Sequence, residues 1–109
     1  MTELAQKKCV ACEGVETPLT REEGEILLKQ LHDWSLTQDA LGIQKEYVFP
    51  DFAQALAFVN NIGRIAEEEG HHPTVELQWG RVRILLTTHA IHGLSENDFT
   101  LAAKIDETH

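Results

Sequence analysis

Residues 51–86 decide the fold of this chain, and their sequence is DFAQALAFVNNIGRIAEEEGHHPTVELQWGRVRILL. In the first half of this stretch apolar side chains recur at helical spacing, with Asp51 as the capping residue and Gly70 as the stop. The second half alternates apolar and polar residues on both sides of Gly80, which is typical of two strands joined by a tight turn. The stretch therefore predicts a long helix and then a β-hairpin. We expect Trp79, at the end of the first strand, to lie in the core.

The preceding part of the chain predicts the same combination of a helix and a hairpin. Thr20 and Glu23 have the spacing of a capping box, and the amphipathic pattern after them predicts a helix near residues 20–31. Alternation over residues 41–49 predicts a strand, and a shorter strand begins near Trp34. Turn-forming residues lie between the two strands, so we expect the strands to pair with each other.

A last helix is predicted after the second hairpin, because Ser95 and Asp98 form another capping box ahead of apolar residues at helical spacing. The element order is then helix, two strands, helix, two strands, helix. Its economical packing is an α+β fold, a two-layer sandwich in which helices cover one face of a four-stranded antiparallel sheet. We expect residues 1–17, which are polar and lack periodicity, to form a flexible arm, and residues 18–109 to form a single domain.

The composition excludes several classes of function. Hydrophobic residues make up 42% of the chain and charged residues 25%, which is ordinary for a soluble globular protein. The longest apolar run is too short to cross a bilayer and no secretory signal is evident, so we expect a cytoplasmic protein. A net charge of −9 with scattered basic residues argues against nucleic acid as a partner. The domain is small and its sheet has edge strands, so we expect a homodimer, with a homotetramer as the alternative.

The candidates for chemistry all lie at predicted ends of helices or strands: Glu67, His71, His72, His89 and Asp98. Imidazole has a pKa near neutrality, so histidines beside carboxylates suit acid–base chemistry at physiological pH. Each residue also has a purely structural explanation, because adjacent loop histidines are commonly surface residues and Asp98 already serves as a helix cap. Taken one at a time, these residues do not identify a function.

As a group, these residues have a spacing that resembles the signature of the pterin-4a-carbinolamine dehydratase family. In that signature a charged residue, three spacers and His-His-Pro are followed by five spacers and an aromatic residue, then nine spacers, His and Asp. The chain supplies, in this order, Glu67, His71-His72-Pro73, Trp79, His89 and Asp98. The similarity covers residues 18–106 approximately, and it includes Trp34, Pro50–Phe52, Thr87–His89 and Gly93–Ser95.

The resemblance implies a hydro-lyase that removes water from 4a-hydroxytetrahydropterin and yields quinonoid dihydropterin, in support of tetrahydropterin recycling. It implies His71 and His89 as the acid–base residues and His72 as a residue for substrate binding and proton transfer. Glu67 and Asp98 would orient the imidazoles and hold their charged form. A functional link to an aromatic amino acid hydroxylase follows, because such an enzyme produces the carbinolamine. The reaction requires no metal and no organic cofactor.

The resemblance also places the pterin ring against two short segments of the chain. The implied substrate-binding residues are Gly70, His71, His72, Pro73, Thr87, Thr88, His89 and Ala90. Two positions depart from the family pattern, which often has Asp in place of Gly70 and Glu in place of Ala90. The sequence leaves open whether the physiological pterin is biopterin-like or related to molybdopterin.

Two other functions remain as alternatives. Three histidines and two carboxylates are also a ligand set for zinc or iron, so one alternative is a metal-binding module. Cys9 and Cys12 form a lone CxxC, for which free thiols and a shared zinc site are both open. The other alternative is an interaction protein, because animal relatives of the family act as dimerisation cofactors for a homeodomain transcription factor. The CxxC segment of this chain resembles the bacterial branch.

Overall fold

The computed structural model describes residues 3–7, 9 and 17–109. Its elements, in chain order, are α1 (Glu3–Gln6), α2 (Arg21–Leu28), β1 (Ser35–Leu36), β2 (Ile43–Val48), α3 (Phe52–Glu69), β3 (Thr74–Gln78), β4 (Arg81–Leu86), a 3₁₀ turn (His89–Ile91) and α4 (Glu96–Glu107). Among the helices within these residues, none is long and apolar enough to span a membrane. From α2 onward the helices and strands follow the predicted order.

The strands form one antiparallel sheet in the order β1-β2-β4-β3. At the centre, β2 pairs with β4 and Ile43 lies opposite Leu86. Ile84 and Leu86 are both fully buried in the core that β4 shares with α3 and α4, whereas Arg83 and Leu85 lie on the opposite face. The predicted α+β sandwich with a four-stranded antiparallel sheet is confirmed.

The residues predicted to cap the helices are found at the helix ends. Thr20 accepts a hydrogen bond from the Glu23 N–H, and the Glu23 carboxylate accepts one from the Thr20 N–H. Asp51 caps α3, and Gly70 ends that helix in the left-handed conformation with a φ of 66°. Helix α2 ends before residue 31, because the chain beyond it tightens into hydrogen bonds of the 3₁₀ type.

Part of the stretch predicted as a flexible arm packs against the domain. Glu3–Gln6 form the helical turn α1, which contacts α4, and Leu4 within it is buried. The Lys104 ammonium donates a hydrogen bond to the Ala5 carbonyl at 2.9 Å. These contacts fix α1, so the prediction of a flexible arm does not hold for it. Residues 1, 2, 8 and 10–16 lie outside the described residues, and Cys12 with the CxxC interpretation falls among them.

Trp79 differs from its predicted place. It lies in the turn between β3 and β4 and is 68% exposed, so the expectation that it belongs to the core is wrong. Alternation along β3 continues into the turn in the sequence, but the strand itself ends at Gln78. The chain is already leaving the sheet at the position of the indole.

A polar cluster fastens the C-terminal part of α4 to the sheet. The Asp106 carboxylate accepts hydrogen bonds from Trp34 Nε1 at 3.0 Å, Lys45 Nζ at 2.9 Å and Tyr47 Oη at 2.5 Å. Burial, together with the Asp106 carboxylate, raises the pKa of Tyr47, so the phenol stays a protonated donor. The packing of α4 on the sheet is therefore anchored far from the N-terminus of that helix.

Candidate active site

The two adjacent histidines lie in the short connection between α3 and β3. Gly70 turns the chain out of α3, and the His71 N–H donates to the Ala66 carbonyl at 3.2 Å, which completes the helix end. Strand β3 then pairs with β4 so that Thr74 lies opposite Leu85. The histidine pair therefore lies beside the end of β4, from which the chain continues to the third histidine.

Asp98 is the centre of the polar contacts in this region. It is fully buried, and its Oδ1 lies 2.6 Å from Nε2 of His71, whose side chain is 12% exposed. Its Oδ2 accepts hydrogen bonds from the Ser95 N–H at 3.0 Å and from the Thr88 hydroxyl at 2.8 Å. One carboxylate thus completes the capping box of α4 and holds the His71 ring.

His89 opens a 3₁₀ turn just beyond β4, whereas the sequence placed it at a strand end. Thr88 and Gly93 exchange backbone hydrogen bonds of 2.8 and 3.3 Å, and these close the loop that carries His89. The hydroxyls of Thr88 and Ser95 are 2.8 Å apart, which ties the same loop to the start of α4. The loop is therefore fixed at its base while the His89 side chain is exposed.

His72 has different surroundings from His71. Its Nε2 lies 2.5 Å from Oε2 of Glu67, and the two side chains are 60% and 78% exposed. Successive residues of an extended segment point to opposite sides, which explains why neighbouring rings meet different carboxylates. Solvent competes with a contact this exposed, so the His72–Glu67 pair holds its ring less firmly than Asp98 holds His71.

A cavity of about 320 Å³ opens beside His89, and its lining residues are Thr37, Asp39, Leu41, Gly42, Leu85, Thr87, His89 and His92. Of the residues predicted from the sequence, Thr87 and His89 line it, but His71 and His72 do not. The predicted residues Gly70 and Ala90 are exposed, and Pro73 is partly exposed in the loop before β3. Hydrogen bonds thus connect His71, Asp98 and Thr88 into one group. His89 is connected to this group because it directly follows Thr88 in the chain.

Sequence reasoning missed the contribution of the turn between β1 and β2 to this cavity. In the sequence, Asp39 and Gly42 indicate a turn between β1 and β2 and carry no sign of a binding site. The Thr87 hydroxyl donates to the Leu41 carbonyl at 2.6 Å, so the turn is held against the end of β4 by a contact between distant parts of the chain. No local pattern encodes such a contact. His92 was also missed, since a histidine in a loop carries no signal of its own.

Within residues 3–7, 9 and 17–109, His, Cys, Asp and Glu side chains do not form a group of three or more that could hold a metal ion.

The protein is an α+β domain in which a buried carboxylate holds one imidazole and a second imidazole lies beside a small cavity. This arrangement suits acid–base chemistry on a small molecule. Residues 17–108 match the sequence model of the family described as Pterin 4 alpha carbinolamine dehydratase. The chain therefore belongs to the pterin 4 alpha carbinolamine dehydratase family, and it is a hydro-lyase.

Curated relatives agree with this assignment over nearly the whole chain. A protein of Alkaliphilus metalliredigens named as a pterin-4-alpha-carbinolamine dehydratase is 45% identical, and the match covers 98% of this chain and 96% of the relative. A relative of the same name from Rubrobacter xylanophilus is 46% identical, with coverage of 97% and 98%.

Two solved structures share the fold. A crystal structure of a transcriptional coactivator/pterin dehydratase from Brucella melitensis has a TM-score of 0.79 and 30% identity, covering 84% of this chain and 97% of that one. A pterin dehydratase-like protein identified as a RuBisCO assembly factor in the alpha-carboxysome has a TM-score of 0.61 and 26% identity, with coverage of 70% and 88%. The same fold thus occurs in proteins whose descriptions include roles other than dehydration.

Proposed function

We propose that this chain converts 4a-hydroxytetrahydropterin into quinonoid dihydropterin and water by general acid–base catalysis with His71 and His89. The observation that carries the proposal is the fully buried Asp98 carboxylate, 2.6 Å from Nε2 of His71. A capping box alone does not require a histidine at this distance. A carboxylate that orients an imidazole is a common arrangement where the imidazole transfers protons.

The reaction requires one proton to be donated and one to be removed. Hydroxide is a poor leaving group, so an acid protonates the C4a oxygen while the lone pair of N5 forms the new double bond to C4a. The C4a–O bond breaks, water leaves, and a base removes the proton from the positively charged N5. Each positioned acid or base contributes roughly 10²- to 10⁴-fold to the rate.

The contact with Asp98 assigns the tautomer of His71. An ionised carboxylate only accepts hydrogen bonds, so Nε2 of His71 is the donor and carries a proton. Nδ1 is then the ring nitrogen that exchanges a proton with the substrate. When Nδ1 becomes protonated, the neighbouring Asp98 charge stabilises the imidazolium. His89 is the partner group, in the 3₁₀ turn beyond β4.

His72 and Glu67 have an outer role in this proposal. Both side chains are exposed, so the pair can bind the substrate from the solvent side and pass protons to water. Among the implied substrate-binding residues, the backbone N–H groups of His71 and Thr88 already donate to the carbonyls of Ala66 and Gly93. Recognition of the ring therefore rests on other groups of residues 70–73 and 87–90.

The test is a stopped-flow assay of carbinolamine dehydration, followed by the ultraviolet spectrum of the pterin. His71→Ala and His89→Ala should each lower kcat by about one to three orders of magnitude, because each removes a proton-transfer group. His32→Ala is the matched control, since His32 is exposed in the connection between α2 and β1 and should leave kcat unchanged. If both site variants turn over at the wild-type rate, the proposed mechanism is wrong.

A further inference from the structure

The cavity beside His89 extends the candidate site away from the histidine pair. In the sheet order β1-β2-β4-β3, the pair lies on the β3 side of β4, because it directly precedes β3. The cavity lies on the β2 side, since the turn between β1 and β2 forms one of its walls. His89 lies between the two, beyond the end of β4. A substrate that reacts at His89 therefore has room to extend toward this turn.

The shape of the cavity is fixed by contacts of the protein with itself. Leu41 and Leu85 give it apolar surface, and the Thr87 hydroxyl holds the Leu41 carbonyl at 2.6 Å. A Cβ atom added at Gly42 would lie 3.0 Å from the Leu86 carbonyl oxygen, so a side chain there would push the turn slightly away from β4. The volume of about 320 Å³ is at the lower end of the range for small-molecule pockets.

Asp39 gives the cavity a fixed negative charge. Its Oδ1 accepts hydrogen bonds from the Thr37 hydroxyl at 2.7 Å and from the Leu41 N–H at 3.0 Å. These two bonds lower the pKa of the Asp39 carboxyl below its ordinary value, so it is ionised at neutral pH. Both of these bonds go to Oδ1, so Oδ2 can accept a hydrogen bond from a ligand.

His92 adds a second imidazole to the cavity from a strained backbone position. Its φ is 55°, in the left-handed region that glycine adopts without strain, and its N–H donates to the His89 carbonyl to close the 3₁₀ turn. Strained backbone positions cluster at binding and catalytic sites. His92 lines the same cavity as His89 and Asp39.

We propose that this cavity binds the C6 side chain of the pterin, and that Asp39 and His92 select a neutral hydroxylated side chain over a phosphorylated one. The inference rests on the proposed dehydration of a pterin carbinolamine, and it names which pterin the site accepts.

The charges of the cavity explain this preference. A carboxylate accepts hydrogen bonds from the hydroxyls of a short polyol chain, whereas it repels a phosphate group. Arg21 is the cation that acts on Asp39, but its guanidinium donates to the Gln38 carbonyl at 2.9 Å and does not line the cavity. The net charge of −9 adds to the repulsion of an anionic substrate.

The test compares three carbinolamines, whose C6 substituents are a methyl group, a dihydroxypropyl chain and a phosphorylated hydroxyalkyl chain. All assays are run at one pH, about 8, where the phosphate group is fully ionised. The wild type should prefer the dihydroxypropyl substrate in kcat/KM and discriminate against the phosphorylated one. Asp39→Asn retains an oxygen that can accept the bonds from Thr37 and Leu41, so it removes the charge and leaves the turn intact.

In Asp39→Asn, kcat/KM should rise about 10- to 30-fold for the phosphorylated substrate, because the phosphate carries about two negative charges at pH 8 and removing one facing charge at short range in a water-like medium gives a factor of about five for each of them. It should fall severalfold for the dihydroxypropyl substrate and stay within about twofold for the methyl substrate. His92→Gly relieves the backbone strain, so it should fold at least as well as the wild type and lose only the preference for the dihydroxypropyl chain.

Glu76→Gln is the matched control. It removes the same charge from the same face of the sheet, where Glu76 pairs with Arg83 outside the cavity, and it should leave all three ratios unchanged. Equal effects of Asp39→Asn on all three substrates, or no effect on any, would overturn the assignment of the cavity while the methyl substrate still demonstrates dehydration. If the wild type dehydrates none of the three, the proposed function fails first and the inference fails with it.

Discussion

Replacing Asp98 with Asn tests whether the cap of α4 and the histidine are served by one carboxylate. The wild-type group makes three contacts, through Oδ1 with His71 and through Oδ2 with Ser95 and Thr88. Asn has one carbonyl oxygen and one amide group. With the oxygen placed toward Ser95 and Thr88, the amide nitrogen faces Nε2 of His71. Two donors then meet unless His71 changes its tautomer and leaves Nδ1 protonated.

The expected losses in stability and in activity differ in size. A hydrogen bond to a charged group contributes about 1.5–3 kcal/mol, and Asn keeps neutral versions of two of the three contacts, so the free energy of unfolding should fall by about 1–3 kcal/mol. The changed tautomer removes the proton acceptor at Nδ1. The substitution itself removes the negative charge that stabilises the imidazolium. We therefore expect kcat to fall by about 10²- to 10⁴-fold.

The assay pairs urea unfolding with stopped-flow turnover of the 4a-hydroxytetrahydropterin. The control is Asp106→Asn, which makes the same substitution on the same helix at a carboxylate that also accepts three hydrogen bonds. It should lose a similar amount of stability with kcat near the wild-type value. Wild-type kcat in a folded Asp98→Asn protein would mean that Asp98 is a helix cap only.

Four further outcomes are expected. His72→Ala should raise KM more than it lowers kcat, because His72 binds the substrate from an exposed position; a fall in kcat with unchanged KM would show that the roles of the adjacent rings are exchanged. Burial, with the Glu69 carboxylate, raises the pKa of the Cys9 thiol from 9.0 to about 12. In a Cys12→Ser background, a disulfide reagent at pH 8 should therefore label Cys9 slowly in the folded protein and rapidly in urea. Since only the unfolded state loses this proton at first, the free energy of unfolding should also fall as pH rises from about 9 toward 12, and fast labelling of the folded chain would contradict both expectations. The edge strands β1 and β3 should pair with a second copy, so light scattering at micromolar concentration should give the mass of a dimer, with a tetramer next; the mass of one chain would exclude edge pairing.

The local signals of the sequence predicted the elements of this fold. Gly70 marked the end of α3, and the capping boxes at Thr20 and Ser95 marked the starts of α2 and α4, because a helix end needs specific groups near it in the chain. Alternation located β2, β3 and β4, but along β3 it continued past Gln78 and misplaced Trp79. A two-residue period does not show where a strand stops pairing.

The contacts that build the site could be predicted only in part. Spacing that resembles a family brought His71 and Asp98 together as candidates, but it did not show that Oδ1 of Asp98 faces Nε2 of His71. The cavity depends on a turn 46 residues away from Thr87, and α1 depends on its burial against α4. Such contacts are decided by how the layers pack, which no local pattern records.

The double use of Asp98 also affects how the protein should respond to heat. The first turn of a helix is the part that frays most easily, and in α4 this turn contains the carboxylate that holds His71. Warming that loosens only this turn would free the imidazole while the cluster around Asp106 still anchors the rest of the helix. Thermal inactivation would then precede thermal unfolding, and the interval between the two temperatures would measure how firmly the start of α4 is held.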